Sequence, residues 1–220
     1  MKKVIVIFFI LAMALGTIFL VTRPERKELV RVTLQESLGE PEKHVIVING
    51  EEYSFLLSRY DPPFFSTELV TRDEQDLSTP EGTVLARLSA VMSNDRDWRL
   101  SLLEEDVRER NRRDPEEERI IKEHLKRMPL LDPLENYLIL LFKVEFEFEG
   151  KKYALIRDRA VVRGVEQPGI GTVALVKQGD IWLGTDDVWK HPILDLVMRS
   201  YEELREILKE GTWDRRHRRR

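Results

Sequence analysis

The chain has 220 residues, 42% hydrophobic and 35% charged, with no cysteine and a formal net charge of −4. This composition suits one folded domain of ordinary size, and it excludes disulfides and thiolate chemistry. Setting aside Lys2, Lys3, the five tail arginines and Asp214, the 36 basic and 40 acidic residues leave a body of net charge about −10, so nucleic-acid binding by that body is not expected.

Met1-Lys2-Lys3 leads into Val4–Val21, 18 residues without a charge, which predicts contact with a membrane through residues 4–21. The apolar run continues past the small residues Ala12-Met13-Ala14 to Ile18, Phe19, Leu20 and Val21. Residues 1–22 therefore read as an uncleaved signal anchor, the alternative being a signal peptide whose removal secretes the chain. A short basic leader before an apolar run is how export signals begin, so a single-pass protein of the cell membrane with an extracytoplasmic domain is expected. Arg23, Arg26, Lys27 and Arg31 follow the span, and the positive-inside count does not support that orientation.

Residues 23–78 read as a juxtamembrane linker and an N-terminal hairpin extension. Alternation across Leu29–Leu34 predicts a short strand, and Val45–Ile48, Asn49-Gly50 and Tyr53–Leu57 predict a hairpin that Pro62-Pro63 brings to an end. Gly50, Tyr53 and Arg59 recur as Gly150, Tyr153 and Arg159, which reads as two ordinary hairpins, since a repeat should extend over roughly 20 residues or more. Thr79 and Pro80 then form a helix start, with Val84, Leu85, Leu88, Val91 and Met92 on one face. A second helix carries Trp98, Leu102, Leu103 and Val107 inward. Asp114-Pro115 caps a third bearing Ile120, Ile121, Leu125 and Met128.

From Tyr137 to Asp187 the pattern predicts a four-strand antiparallel meander. Phe142, Val144, Phe146 and Phe148 alternate with Lys143, Glu145, Glu147 and Glu149, a half-buried strand with one wet face. Leu138–Leu141 are apolar on both parities, so that end is expected to be covered on both sides. Gly150 turns the chain into Tyr153–Val162, and a loop with Pro168-Gly169 leads to Thr172–Lys177. Gln178-Gly179-Asp180 then returns it through Ile181–Leu183. Residues 188–210 predict a C-terminal helix bearing Ile193, Leu194, Leu196, Val197, Tyr201, Leu204, Ile207 and Leu208, and 211–220 form a basic tail.

The segments Thr79–Val84, Leu88–Ala90, Asn94-Asp95, Trp98 and Leu102-Leu103, with the closing Thr172–Trp182, resemble the nuclear transport factor two-like (SnoaL-like) superfamily. Over residues 79–187 that resemblance implies an α+β fold: helices packed on a curved antiparallel sheet, a cone-shaped, cystatin-like roll. The N-terminal transmembrane or signal helix, the strands before Thr79 and the C-terminal helix are additions to it. The implied cone has a pocket at its wide end, for which Trp98, Ile156 and Trp182 are the expected lining.

If Ala154, Ile156, Ala160 and Val162 face the core, the two-residue period puts Asp158 beside them, with Arg157 and Arg159 pointing out. Desolvation would raise its pKa, making it a candidate general acid or base, as acidic residues inside the cone often are in the resembled superfamily. A bulge returning it to solvent, or a structural ion pair, is the competing account. His44, His124, His191 and His217 lack ligand spacing, so no metal is expected. No cofactor is expected, since no glycine-rich phosphate loop or serine elbow occurs. Asp186 and Asp187 read as loop or cap residues. Arg215, Arg216, Arg218, Arg219 and Arg220 are candidates for polyanion or lipid contact, unless that end is simply solvated. A membrane-anchored interaction domain follows, recruiting a partner protein, a small apolar ligand or a second copy through its sheet or C-terminal helix. The alternative is an isomerase, dehydratase or hydrolase using Asp158.

Overall fold

A computed structural model describes residues 33–113, 119, 123 and 133–213. The span expected at 4–21, the third helix expected after Asp114 and the arginine tail lie outside them, and no helix among the described residues is long and apolar enough to cross a membrane.

Within the strand expected at 29–34, Leu34 instead opens a single helical turn, α1 (Leu34–Ser37). The Thr33 side chain accepts from the Glu36 amide and the Glu36 carboxylate accepts from the Thr33 amide. This reciprocal cap outweighs an alternation only a few residues long. Strands β1 (Glu42–Ile48) and β2 (Glu51–Phe65) form the predicted hairpin, with Asn49 and Gly50 both at positive φ. Pro62-Pro63 does not end β2. The register against β3 (Tyr137–Phe148) shifts between Arg59 and Phe64, so the prolines lie in an irregular stretch that requires no ladder donor from them.

The meander continues through β4 (Lys151–Val162), a two-residue β5 (Val165–Glu166), β6 (Gly171–Gln178) and β7 (Ile181–Gly184). With β8 (Thr212–Trp213) parallel to β1, the order is β7-β6-β4-β3-β2-β1-β8, and β5 pairs with β4. The fold is thus a mixed α+β one around a large, curved, mainly antiparallel sheet.

One face carries Phe55, Phe142, Val144, Phe146, Tyr153 and Leu155, with the Phe55, Phe146 and Tyr153 rings stacked at 5.6 and 5.4 Å. The C-terminal segment covers it, but not as one helix. A 3-10 turn (Asp187–Lys190) leads to α5 (Pro192–Val197) and α6 (Tyr201–Glu210). Pro192 starts α5, and a capping box at Ser200, paired with Glu203, restarts the chain as α6. Ile193, Leu196, Val197 and Leu204 are all fully buried there.

The other face is covered as well. Thr79 caps α2 (Pro80–Met92) as expected, and α3 (Arg96–Ser101) and α4 (Glu105–Arg113) follow it. Val84 is buried, but Leu85, Leu88, Val91 and Met92 are only half-buried, while Ala86, Ser89 and Ala90 turn inward. Small residues at the contact let α2 approach Trp98 and Leu102 closely, which a hydrophobicity pattern alone does not weigh. The expected wet face is therefore partly dry: Lys143 is 6% exposed.

Leu196, fully buried between α5 and the sheet, sets an expected cost. Leu196→Ala should destabilise the fold by about 2–5 kcal/mol. Equilibrium denaturation of the half-buried Leu85→Ala should show a clearly smaller loss.

Candidate functional site

Asp158 stands on β4 opposite Leu140 of β3 and Gly171 of β6, on the face that α2 covers, as the strand period predicts. It is 6% exposed, and no hydrogen bond to its carboxylate is found among the described residues. Both oxygens lie 2.8 Å from where a Cβ on Gly171 would sit, so only glycine leaves room for it. Burial pushes its pKa up from the usual 3.8 to about 6, with the Arg157 charge working the other way. The register against β3 does shift here, between Leu140 and Phe142, but the extra residue is on β3; β4 keeps its pairing with β6 and Asp158 is not returned to solvent.

Arg157 does not point to solvent. It is 2% exposed on the opposite face, where Nη1 donates to Thr172 Oγ1 and Nη2 donates to the Met198 carbonyl at 3.3 Å. Desolvation lowers its pKa, and the adjacent Asp158 charge opposes that. Two buried opposite charges thus stand back to back across the sheet.

The pocket residues expected from sequence are packed. Ile156, at 0% exposure, and Trp182, at 3%, join Val84 and Leu175 in one cluster. Trp98 belongs to a separate cluster with Ala86, Ala90 and Leu102, and its indole donates to Gln75 Oε1 at 2.8 Å.

Beside them lies a buried polar network that no sequence motif announces. Lys143 Nζ is 2.8 Å from Glu81 Oε1 and 3.1 Å from Glu145 Oε1. The Tyr60 hydroxyl donates to Glu81 Oε1 at 2.7 Å, and Lys152 Nζ reaches Glu145 Oε2 at 2.8 Å. Burial and the Glu81 charge push the Tyr60 phenol well above its ordinary value. Burial raises the Glu145 carboxyl, but the hydrogen bond from Lys152 and the Lys143 charge outweigh it and hold the carboxyl below the usual value. Each charge has a partner inside a packed layer, so the network seats α2 on the sheet and is not arranged to receive a ligand.

An open site occurs at the sheet's far edge. β7 ends at Gly184 while β6 begins at Gly171, so the first residues of β6 pair with β4 but extend beyond β7. The Leu102-Leu103 connection runs along β7: Gly184 N donates to the Leu102 carbonyl at 2.8 Å, and Glu104 N donates to the Gly184 carbonyl at 2.9 Å. A Cβ at Gly184 would lie 2.6 Å from an Arg87 nitrogen and 2.9 Å from Leu103 Cδ2, so both side chains would have to shift for a larger residue at this crossing. Past it, a groove of about 280 Å³ opens between Leu103, Val107, Thr172, Val173 and Trp189. Trp189 is 51% exposed.

A knot of polar groups holds the rim. Glu104 accepts from Thr185 Oγ1 at 2.7 Å, from Gln178 Nε2 at 3.1 Å and from Lys151 Nζ at 3.2 Å. Lys151 also reaches Asp187 at 2.9 Å, and its hydrogen bonds with Asp187 and Glu104 raise its pKa. Arg110 donates to both oxygens of Asp186 at 2.6 and 2.7 Å. Asp186 lies in the connection at the cap position without a side-chain cap hydrogen bond, Asp187 is the first residue of the 3-10 turn, and both brace the groove. The unequal lengths of the last two expected strands, 172–177 and 181–183, were the sequence signal for this free edge. Among the described residues no group of three potential metal ligands is gathered.

Lys143→Met should cost about 3–5 kcal/mol in denaturant unfolding, because it leaves the Glu81 carboxylate buried without its cation. Adding Glu81→Gln should recover much of that. For Asp158 the native carboxyl binds its proton more tightly than the unfolded one, so its favourable contribution is complete below pH about 4 and lost as pH rises through about 6. Asp158→Asn should therefore gain on the order of 2 kcal/mol over the wild type at pH 8 and nothing at pH 3, read from unfolding curves at each pH. No family model, curated protein or solved structure matches the chain.

Proposed function

We propose that this chain is a non-catalytic interaction domain, carried on a membrane by residues 4–21, that recruits a partner through the groove at the free edge of β6. One observation carries the reading: a half-exposed Trp189 stands beside strand residues that continue past the end of β7. Thr185 N already donates to the Ala174 carbonyl at 3.1 Å, so an extended segment laid there gains main-chain hydrogen bonds from the residues of β6 before Ala174, and its side chains meet Trp189, Leu103 and Val107 together with Arg87, Asn111 and Asp186. Tryptophan, with tyrosine and arginine, is enriched among the residues that dominate binding. The rim knot keeps the groove preformed, so little ordering is required on binding.

The nuclear transport factor two-like reading is supported by the placement of α2 on one face of the meander. The close packing of Ile156 and Trp182 speaks against a small apolar ligand inside that cone. An acid or base at Asp158 is the second reading, favoured by its burial and raised pKa.

Peptide display against the full chain in detergent tests the edge reading. Extended sequences with alternating apolar residues should be enriched, bind with shifts at Thr172–Ala174, and lose at least about tenfold in affinity to Trp189→Ala. That variant should fold normally, since surface substitutions usually change stability by about 0.5 kcal/mol or less. Enrichment that is indifferent to Trp189→Ala would remove the groove as the site.

A further inference from the structure

The end of α5 meets the start of β6 where a thioether touches a buried cation. Met198 closes α5, its amide donating to the Leu194 carbonyl at 2.9 Å, and the residue is 49% exposed. Its sulfur lies 3.0 Å from Arg157 Nη1, and the Thr172 hydroxyl donates to it at 3.4 Å. Arg157 is 2% exposed, and its other acceptors are Thr172 Oγ1, the Ile170 carbonyl at 3.5 Å and the Met198 carbonyl at 3.3 Å. All of these are uncharged. Asp158, whose charge acts on the guanidinium, stands on the other face of β4, and the buried Nε of Arg157 has no acceptor among the described residues. A cation at this depth is thus held by neutral oxygens and by a thioether, one of the weakest acceptors a side chain offers.

We propose that Met198 is a redox modification site: a hydroperoxide converts its thioether to the sulfoxide, and Arg157 and Thr172 hold the new oxygen. Access to the sulfur and the weakly compensated cation behind it carry the assignment. The half-exposed side chain admits the peroxide. A sulfur lone pair attacks one peroxide oxygen, and the S–O bond forms as the O–O bond breaks. The other oxygen takes the proton of the transferred one and leaves as water, so sulfur is oxidised to the sulfoxide and the peroxide is reduced. Methionine is unbranched and turns freely, so the sulfur can withdraw toward solvent while its oxygen takes its place before Arg157 Nη1 and Thr172 Oγ1. A sulfoxide oxygen concentrates negative charge, and the guanidinium exchanges a weak bond for a strong, charge-assisted one. Oxidation commonly disrupts packing, because it turns an apolar side chain polar. Here the polar product meets donors already in place, and the sign reverses. Oxidation therefore fastens the end of α5 to the first residues of β6, at the free edge of the sheet.

The absence of cysteine leaves no thiol to compete for the oxidant. The full chain in detergent is treated with hydrogen peroxide, and peptide-resolved mass spectrometry should find Met198 converted to the sulfoxide. Denaturant unfolding is then compared with that of Met198→Leu, in which oxidation acts on the remaining methionines alone. Relative to its effect on that variant, oxidation should raise the folded-to-unfolded ratio of the wild type by about fivefold to tenfold. Met198→Gln, which brings an amide oxygen to the same place without an oxidant, should be more stable than Met198→Leu by a similar factor. The guanidinium NMR signals of Arg157 should shift when the wild type is oxidised, and their hydrogen exchange should slow at least about threefold. Resistance of Met198 to a peroxide dose that oxidises free methionine would overturn the proposal. So would a wild type that gains no more from oxidation than Met198→Leu does, or Arg157 signals that stay where they were.

Discussion

The Lys143 ammonium lies 2.8 Å from the Glu81 carboxylate in a layer where neither is more than 7% exposed, and the way α2 meets the sheet follows from that pair. A charge left alone at this depth costs several kcal/mol, so the first turn of α2 has one acceptable position over β3. That position turns Ala86 and Ala90 toward Trp98 and Leu102. The Leu102-Leu103 connection then runs beside β7, and Glu104 reaches Thr185, Gln178 and Lys151. The open groove at the β6 edge is a consequence of this chain of contacts, because the helices shield β7 but leave the start of β6.

The opposite face is governed by a different force. Phe55, Phe146 and Tyr153 form an aromatic row that cannot remain in water, and α5 and α6 close over it. With both faces covered, β4 is left with Arg157 on one side and Asp158 on the other, each buried and each partly compensated by its neighbour through the strand. The Asp158 carboxylate resembles a catalytic acid in its electrostatics, but burial by itself is enough to produce that shift. The exposed aromatic and apolar side chains, Trp189 and Met198 among them, lie on the surface instead.

Much of the fold was legible because its signals are local. The Asn49-Gly50 and Glu149-Gly150 turns, the cap at Thr79, the alternation of β3 and the return through Gly179 each depend on a few neighbouring residues. The same locality explains the misses. The short alternation at Leu34 lost to a capping box, and the single expected C-terminal helix was divided at Ser200 by another. Burial of Asp158 was readable from the strand period, but burial of Arg157 and Lys143 was not. Period two says which residues share a face, and it is silent on whether a charged face meets solvent or another layer.

By itself, then, the amino-acid sequence determined the two hairpins, the returning strands of the meander, the helix start at Thr79 and the face on which Asp158 stands. Backbone sterics, capping and side-chain alternation act over a few residues. Only the tertiary structure decided that both faces are covered, that Lys143, Glu81, Tyr60 and Glu145 share one network, and that Trp189 remains outside beside a free edge. Those outcomes depend on which distant segments arrive at the same place, and Tyr60, Glu81 and Lys143 meet only when the sheet and α2 have packed together.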